Sequence, residues 1–128
     1  MPNATQVTLS HQNRPGMLAY IAKVLGDAKV NILAYLTTIS GSEGLTHLIV
    51  DNTDEAKKAF VSAGLSYTET DVLHVELPNR PGALAEFAGK LAKENINITS
   101  GYATGRTGSR KTSMVLAVSD LEKAAGIQ

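Results

Sequence analysis

The segment Asn13-Arg14-Pro15-Gly16-Met17-Leu18 returns 66 residues later as Asn79-Arg80-Pro81-Gly82-Ala83-Leu84. An ungapped comparison of residues 13–32 with 79–98 gives ten identities in twenty: Asn13, Arg14, Pro15, Gly16, Leu18, Ala19, Ala22, Leu25, Asn31 and Ile32 with their counterparts. Unrelated stretches of ordinary composition share about one or two. A chain of 128 residues that repeats itself in this way is two copies of one small unit. The expected division is 1–69 and 70–128, with the second copy shortened at its C-terminus.

Each copy reads alike. A short alternating strand opens it, with Val7 and Leu9 in the first copy and Leu73, Val75 and Leu77 in the second. Asn-Arg-Pro-Gly then turns the chain into a helix, with Pro expected at the first helical position, where a missing N–H is no loss. Apolar stripes follow at helical spacing: Leu18, Ile21, Ala22, Leu25 and Leu84, Phe87, Ala88, Leu91. An Asn-Ile pair opens a second strand over 31–39 and 97–104. Glycine-rich turns lead to a third over 45–51 and 112–118. A helix over 54–63 has only a sketch of a counterpart at 120–126. The order β-α-β-β-α-β predicts an α+β fold of two tandem ferredoxin-like units, with antiparallel sheets and helices on one face. Residues 63–68 allow the first copy a short fourth strand. The second has none, which leaves two alternatives for its sheet edge: a partner strand covers it, or it favours association.

Composition removes several classes of function. Lys plus Arg and Asp plus Glu are both 12, so the chain is formally neutral and lacks the field that drives nucleic-acid or anionic-membrane binding. Two Phe, four Tyr and no Trp supply no platform for stacking bases. Without cysteine there is no disulfide, thiolate nucleophile or cysteine zinc site. No apolar run reaches the roughly 18 residues of a membrane span, and the first six residues do not read as a signal peptide. A cytoplasmic location is expected, with no nucleic-acid or membrane partner and no cofactor. His47 and His74 fall within strands, and three scattered histidines make a poor metal site. Residues 105–112 lack the Gly-Lys-Ser/Thr of a phosphate loop and read as a solvated hairpin. No elbow, paired carboxylate or metal-ligand motif supports catalysis, so the chain is not expected to be an enzyme.

The strand-to-helix turn is the candidate centre of function. A helix N-terminus carries unpaired N–H groups and partial positive charge, which favour a carboxylate. Gly16 and Gly82 keep side chains away from that end, and Asn13 and Asn79 set an amide beside it. Asn31 and Asn97 begin the next strand, from which they can point at the same end of a neighbouring sheet. Amides and helix-end N–H groups suit a small zwitterion, although Asn-Arg-Pro-Gly also serves simply as a turn.

Strand, His11-Gln12-Asn13-Arg14-Pro15-Gly16-Met17-Leu18, helix and then Val30-Asn31-Ile32 resemble the ACT domain, a small regulatory module that binds amino acids. The likeness covers nearly the whole chain as two tandem copies. The first copy is most similar to the serine-sensing regulatory domain of phosphoglycerate dehydrogenase. The resemblance implies that His11, Asn13 and Asn31 hold an effector where two such domains meet. It extends the ligand-binding set to Gly16, Met17 and Leu18, and in the second copy to Asn79, Gly82, Ala83, Leu84 and Asn97. Leu77 stands where the first copy has His11. The family's edge-to-edge pairing implies His11 and Asn13 facing Asn97, and Asn79 facing Asn31. The expected function is that of a stand-alone sensor, binding serine or another small or aliphatic amino acid, forming a homodimer and modulating a partner enzyme. The alternative is a constitutive protein-interaction or regulatory-subunit module without a small-molecule ligand.

Overall fold

The period-two and period-3.6 segments become, in the computed structural model, β1 (Asn3–Gln12), α1 (Met17–Asp27), β2 (Ile32–Ser40), β3 (Glu43–Val50), α2 (Thr53–Ser62), β4 (Tyr67–Pro78), α3 (Ala83–Lys93), β5 (Ile98–Thr104), β6 (Lys111–Val118) and α4 (Leu121–Ala125). Residues 3–127 are described; Met1, Pro2 and Gln128, the outermost residues of the expected repeats, lie outside them. The chain forms two units: Thr5–Thr70, and the described parts of Met1–Ala4 with Asp71–Gln128.

In the first unit the strand order is β2-β3-β1, with the opening of β4 beside β1. All the registered pairs are antiparallel: Val7 faces Leu48, Leu9 faces Thr46 and His11 faces Gly44, while Tyr35, Thr37 and Ile39 of β2 face Leu48, Thr46 and Gly44. Alternate residues Val7, Leu9, Leu48 and Val50 meet Ile21 and Leu25 of α1 and Ala56 and Phe60 of α2 in one core. Both helices therefore cover the same face of the sheet.

The second unit repeats the plan with β4-β6-β5. Leu73, Val75 and Leu77 face Leu116, Met114 and Thr112, and Gly101 and Ala103 of β5 face Leu116 and Met114. The core joins Leu73, Val75 and Leu77 to Phe87 and Leu91 of α3 and Ala124 of α4. Asn3–Ala4, the start of β1, group with this unit.

Two local expectations need correcting. The helices begin at Met17 and Ala83, so Pro15 and Pro81 precede them by two residues rather than opening them. Met17 N–H donates to Arg14 O (3.4 Å) and Ala83 N–H to Arg80 O (3.2 Å), with Gly16 and Gly82 at φ 91° and 88°. This is a type II turn, which wants Pro second and a left-handed Gly third. The buried stripes are also rotated: Met17, Ile21, Leu25 and Ala83, Phe87, Leu91 face the core, while Leu18 and Leu84 are 38% and 48% exposed on its flank.

Both helices end alike. Val30 N–H reaches back to Leu25 O and Lys29 N–H to Gly26 O, and Ile96 and Asn95 do the same to Leu91 and Ala92. These are Schellman closures, with Lys29 and Asn95 left-handed at φ 60° and 59°. The Asn-Ile pairs then tie strand ends together. Asn31 N–H donates to Asp51 Oδ1 (2.9 Å) and Asn31 O accepts from Asp51 N–H (3.0 Å); Asn97 makes the same exchange with Ser119.

Candidate functional site

The type II turn delivers the chain into α1 with its N-terminus unprotected. Asn52 and Asp120 cap α2 and α4 by accepting from Glu55 N–H and Lys123 N–H, whereas α1 and α3 have no side-chain cap. A cap normally satisfies one of the first free N–H groups. The two helices introduced by Asn-Arg-Pro-Gly leave that position open.

In the first unit a polar thread runs under this turn. His11 Nδ1 lies 2.9 Å from Gln12 O, and His11 Nε2 lies 2.8 Å from Thr46 Oγ1. Thr37 Oγ1 lies 3.0 Å from Thr46 Oγ1. A carbonyl only accepts, so Nδ1 carries the proton, and in the neutral ring Nε2 accepts from Thr46, which accepts from Thr37. Thr46 is fully buried, and its hydroxyl is engaged by His11 and Thr37. The ring needs Gly44 opposite it: a Cβ there would stand 2.5 Å from His11 Cε1. Both ring nitrogens of His11 are thus engaged inside the unit. Asn13 is exposed and its side chain has no hydrogen-bond partner among the described residues.

The second unit treats the same turn differently. Asn79 Nδ2 donates to Arg106 O (3.0 Å) and Ser109 O (2.8 Å), and Asn79 Oδ1 accepts from Thr112 Oγ1 (3.1 Å). Its backbone N–H donates to Arg110 O (3.0 Å). Asn79 therefore staples the turn to the 105–110 loop, the solvated hairpin expected from sequence. Arg80 is paired with Glu86 at 2.9 Å, which holds the Glu86 carboxyl below the usual range.

The remaining expected residues divide between core and surface. Met17 and Ala83 are buried, and Gly16 and Gly82 form the turns. Asn31 and Asn97 are held by their backbones, with exposed side chains. Leu84 lines a cavity of about 350 Å³ in the second unit, together with Ala88 of α3, Ile98, Gly101, Tyr102 and Ala103 of β5, and Met114 and Leu116 of β6. No charged residue lines it. A wider hollow of about 690 Å³ on α2 and β4 is shallow and bears Lys57, whose charge is shared with Asp54 and Glu69.

Sequence reasoning missed Thr37, Thr46 and Gly44, and all of the cavity but Leu84. The 66-residue offset, carried past Ile32 to place Gly101 against Tyr35 and Ala103 against Thr37, was the available signal. His47 accepts or donates at 2.9 Å to Thr8 Oγ1, and its pKa is lowered by burial. His74 bonds Ser113 Oγ at 2.8 Å. Burial pushes the Tyr102 hydroxyl up to about 12. Among the described residues no group of three or more His, Cys, Asp or Glu is placed to hold a metal, and no helix is long and apolar enough to cross a membrane.

A family model described as an ACT domain pair matches residues 3–128. Among solved structures, a protein from Bacteroides thetaiotaomicron is 28% identical with a TM-score of 0.89, over 96% of this chain and 84% of that one. The regulatory subunit of aspartate kinase from Thermus thermophilus, in its ligand-free form, is 18% identical with a TM-score of 0.68, over 95% and 87%. The corresponding subunit from Thermus flavus is 17% identical with a TM-score of 0.68, over 96% and 86%. The two Thermus subunits share the fold. No curated protein matches the chain.

Proposed function

Because this chain belongs to the ACT domain pair family, we propose that it is a regulatory sensor that binds a free amino acid at the strand-to-helix turn and modulates a partner protein. The observation that carries this reading is the turn of the first repeat: an uncapped helix N-terminus beside an Asn13 amide with no partner of its own. Open N–H groups and partial positive charge suit the effector's carboxylate. Asn13 offers both a donor and an acceptor; Asn31, at the opposite end of its own sheet, joins this set from a second copy of the chain. His11 acts in this reading by fixing the Gln12 carbonyl at the mouth of the turn, through its own bond to that oxygen. Serine leads among effectors, with other small or aliphatic amino acids behind it. The module is non-catalytic, works as a homodimer in the cytoplasm and passes its signal to a partner enzyme.

Calorimetry against the twenty amino acids tests the reading, after a thermal-shift screen. A ligand at about a hundred times its dissociation constant adds roughly 2.7 kcal/mol, several degrees for units of this size. We expect one specific effector whose binding Asn13→Ala weakens while the variant stays folded. An Asn13→Ala protein that binds the same effector equally well removes the turn from the site.

The alternative, a constitutive interaction module, draws on a different feature. Leu18, Tyr20, Leu33, Tyr35 and Ile39, all on α1 and the edge strand β2, are 38–63% exposed. Apolar side chains gathered at one edge suit a protein surface. Capture of a partner that no amino acid releases or strengthens favours that reading.

A further inference from the structure

The cavity of the second unit is lined by Met114 and Ala103, the counterparts of Thr46 and Thr37 in the first unit's polar thread. Three rows of facing residues on the helix-covered side of each sheet make the comparison. In the first unit they are Tyr35–Leu48–Val7, Thr37–Thr46–Leu9 and Ile39–Gly44–His11. In the second they are Gly101–Leu116–Leu73, Ala103–Met114–Val75 and, in the third row, Thr112–Leu77. Every polar member of the thread has an apolar counterpart: Leu77 for His11, Met114 for Thr46 and Ala103 for Thr37. Tyr35, the large residue of the first row, becomes Gly101.

The exchange of Tyr for Gly leaves space, and the exchanges at Thr46 and Thr37 set Met114 and Ala103 on its lining. At about 350 Å³ the hollow falls within the usual range of small-molecule sites. Its floor closes tightly on Gly101: a Cβ there would come within 2.8 Å of Leu116 Cδ2. With no charged lining group and Tyr102 as its one polar lining side chain, the space rewards burial of hydrocarbon.

We infer that the second repeat holds the branched aliphatic side chain of a free amino acid, of leucine, isoleucine or valine size, in this cavity. The pair of repeats then reads two side-chain chemistries on one backbone plan. The inference rests on the proposed amino-acid-binding function and adds to it a second site with its own ligand class.

Met114 reports on the site directly, because the chain has only three methionines. The experiment is a methyl-resolved NMR titration of the whole chain with leucine, isoleucine, valine and serine, and with 3-methylbutanamide as a neutral aliphatic probe. We expect the Met114 methyl to shift saturably with at least one branched amino acid and not with serine. Gly101→Tyr, which restores the first repeat's residue, is expected to weaken that binding at least tenfold; Ala88→Leu does the same from the helix side if Gly101→Tyr folds poorly. A Met114 methyl that ignores all three branched amino acids, while serine still binds in a manner sensitive to Asn13→Ala, overturns the inference and leaves the broader function standing. A shift with the amide alone, no amino acid binding anywhere, overturns both. A Met114 shift that follows protein concentration without ligand assigns the cavity to a second copy of the chain and overturns the inference.

Discussion

The first repeat ties His11, Thr46 and Thr37 into a hydrogen-bonded thread, and the second sets Leu77, Met114 and Ala103 at the same register positions, with Met114 and Ala103 lining an open space. The backbone plan tolerates this because the helix faces and the turn glycines, not the strand ends, hold each unit together. What differs lies at the end of the sheet nearest the type II turn and includes buried side chains, Thr46 in the first unit and Leu77 and Met114 in the second. Duplication preserved a frame and left its mouth free to change chemistry.

The cores show a second exchange, and it carries the largest expected effect. The first unit draws its aromatic ring from α2, as Phe60, and has Ile21 on α1. In the second unit α4 has only five residues and buries only Ala124, and Phe87 on α3 stands in the place of Ile21. Each core thus takes a Phe ring from a different helix, α2 in the first unit and α3 in the second. Phe60→Ala and Phe87→Ala are each expected to cost about 3–5 kcal/mol, read from urea unfolding. Adding Ile21→Phe to Phe60→Ala should recover about 1 kcal/mol or more, since neighbours in one cavity couple. A double variant that is less stable than Phe60→Ala alone breaks the comparison, because the two rings then do not fill equivalent space.

The two turn asparagines sharpen the contrast at intermediate size. Asn79 makes three side-chain hydrogen bonds to the 105–110 loop and Thr112, and Asn13 makes none. Asn79→Ala should cost about 1–2 kcal/mol, because exposed bonds return little each but Thr112, nearly buried, loses its acceptor. Asn13→Ala should change stability by less than about 0.5 kcal/mol. Equal effects at the two positions, measured by urea midpoints at an unchanged slope, would mean that Asn79 is not a staple. The experiment also separates stability from ligand binding, since the proposed effector site loses Asn13 at no cost to the fold.

The sheets and the helix-strand cores were legible in sequence because burial imposes period two on strands and period 3.6 on helices, and Val7, Leu9, Leu73 and Val75 obey it. The stripe was misplaced by one residue on each first helix because Leu18 and Leu84 satisfy the same spacing as Met17 and Ala83, and only packing decides which row faces inward. Pro15 looked like a helix opener because a missing N–H suits both that position and the second place of a type II turn. The polar thread was hidden for a different reason. Thr37, Thr46 and His11 lie on three strands, and register, which hydrophobic alternation fixes only to within two residues, is what brings them together. The cavity was hidden because it is made by an absence, the missing side chain of Gly101.

The smallest expected effect concerns the helix ends, where the repeats match in backbone and differ in residue. Lys29 and Asn95 both occupy the left-handed position of a Schellman closure, at φ 60° and 59°. A side chain with a Cβ is strained there by about 1 kcal/mol, while Asn tolerates the region better than Lys. Glycine removes the strain but gives the unfolded chain more freedom, which offsets part of the gain. Lys29→Gly should therefore stabilise the first unit by about 0.5–1 kcal/mol, and Asn95→Gly should change the second by no more than a few tenths. Both residues are exposed, so packing does not enter the comparison. The check is the urea midpoint of each variant at constant slope. A Lys29→Gly protein no more stable than the parent would show that the closure's two hydrogen bonds, rather than the residue in its left-handed position, set the stability of that helix end.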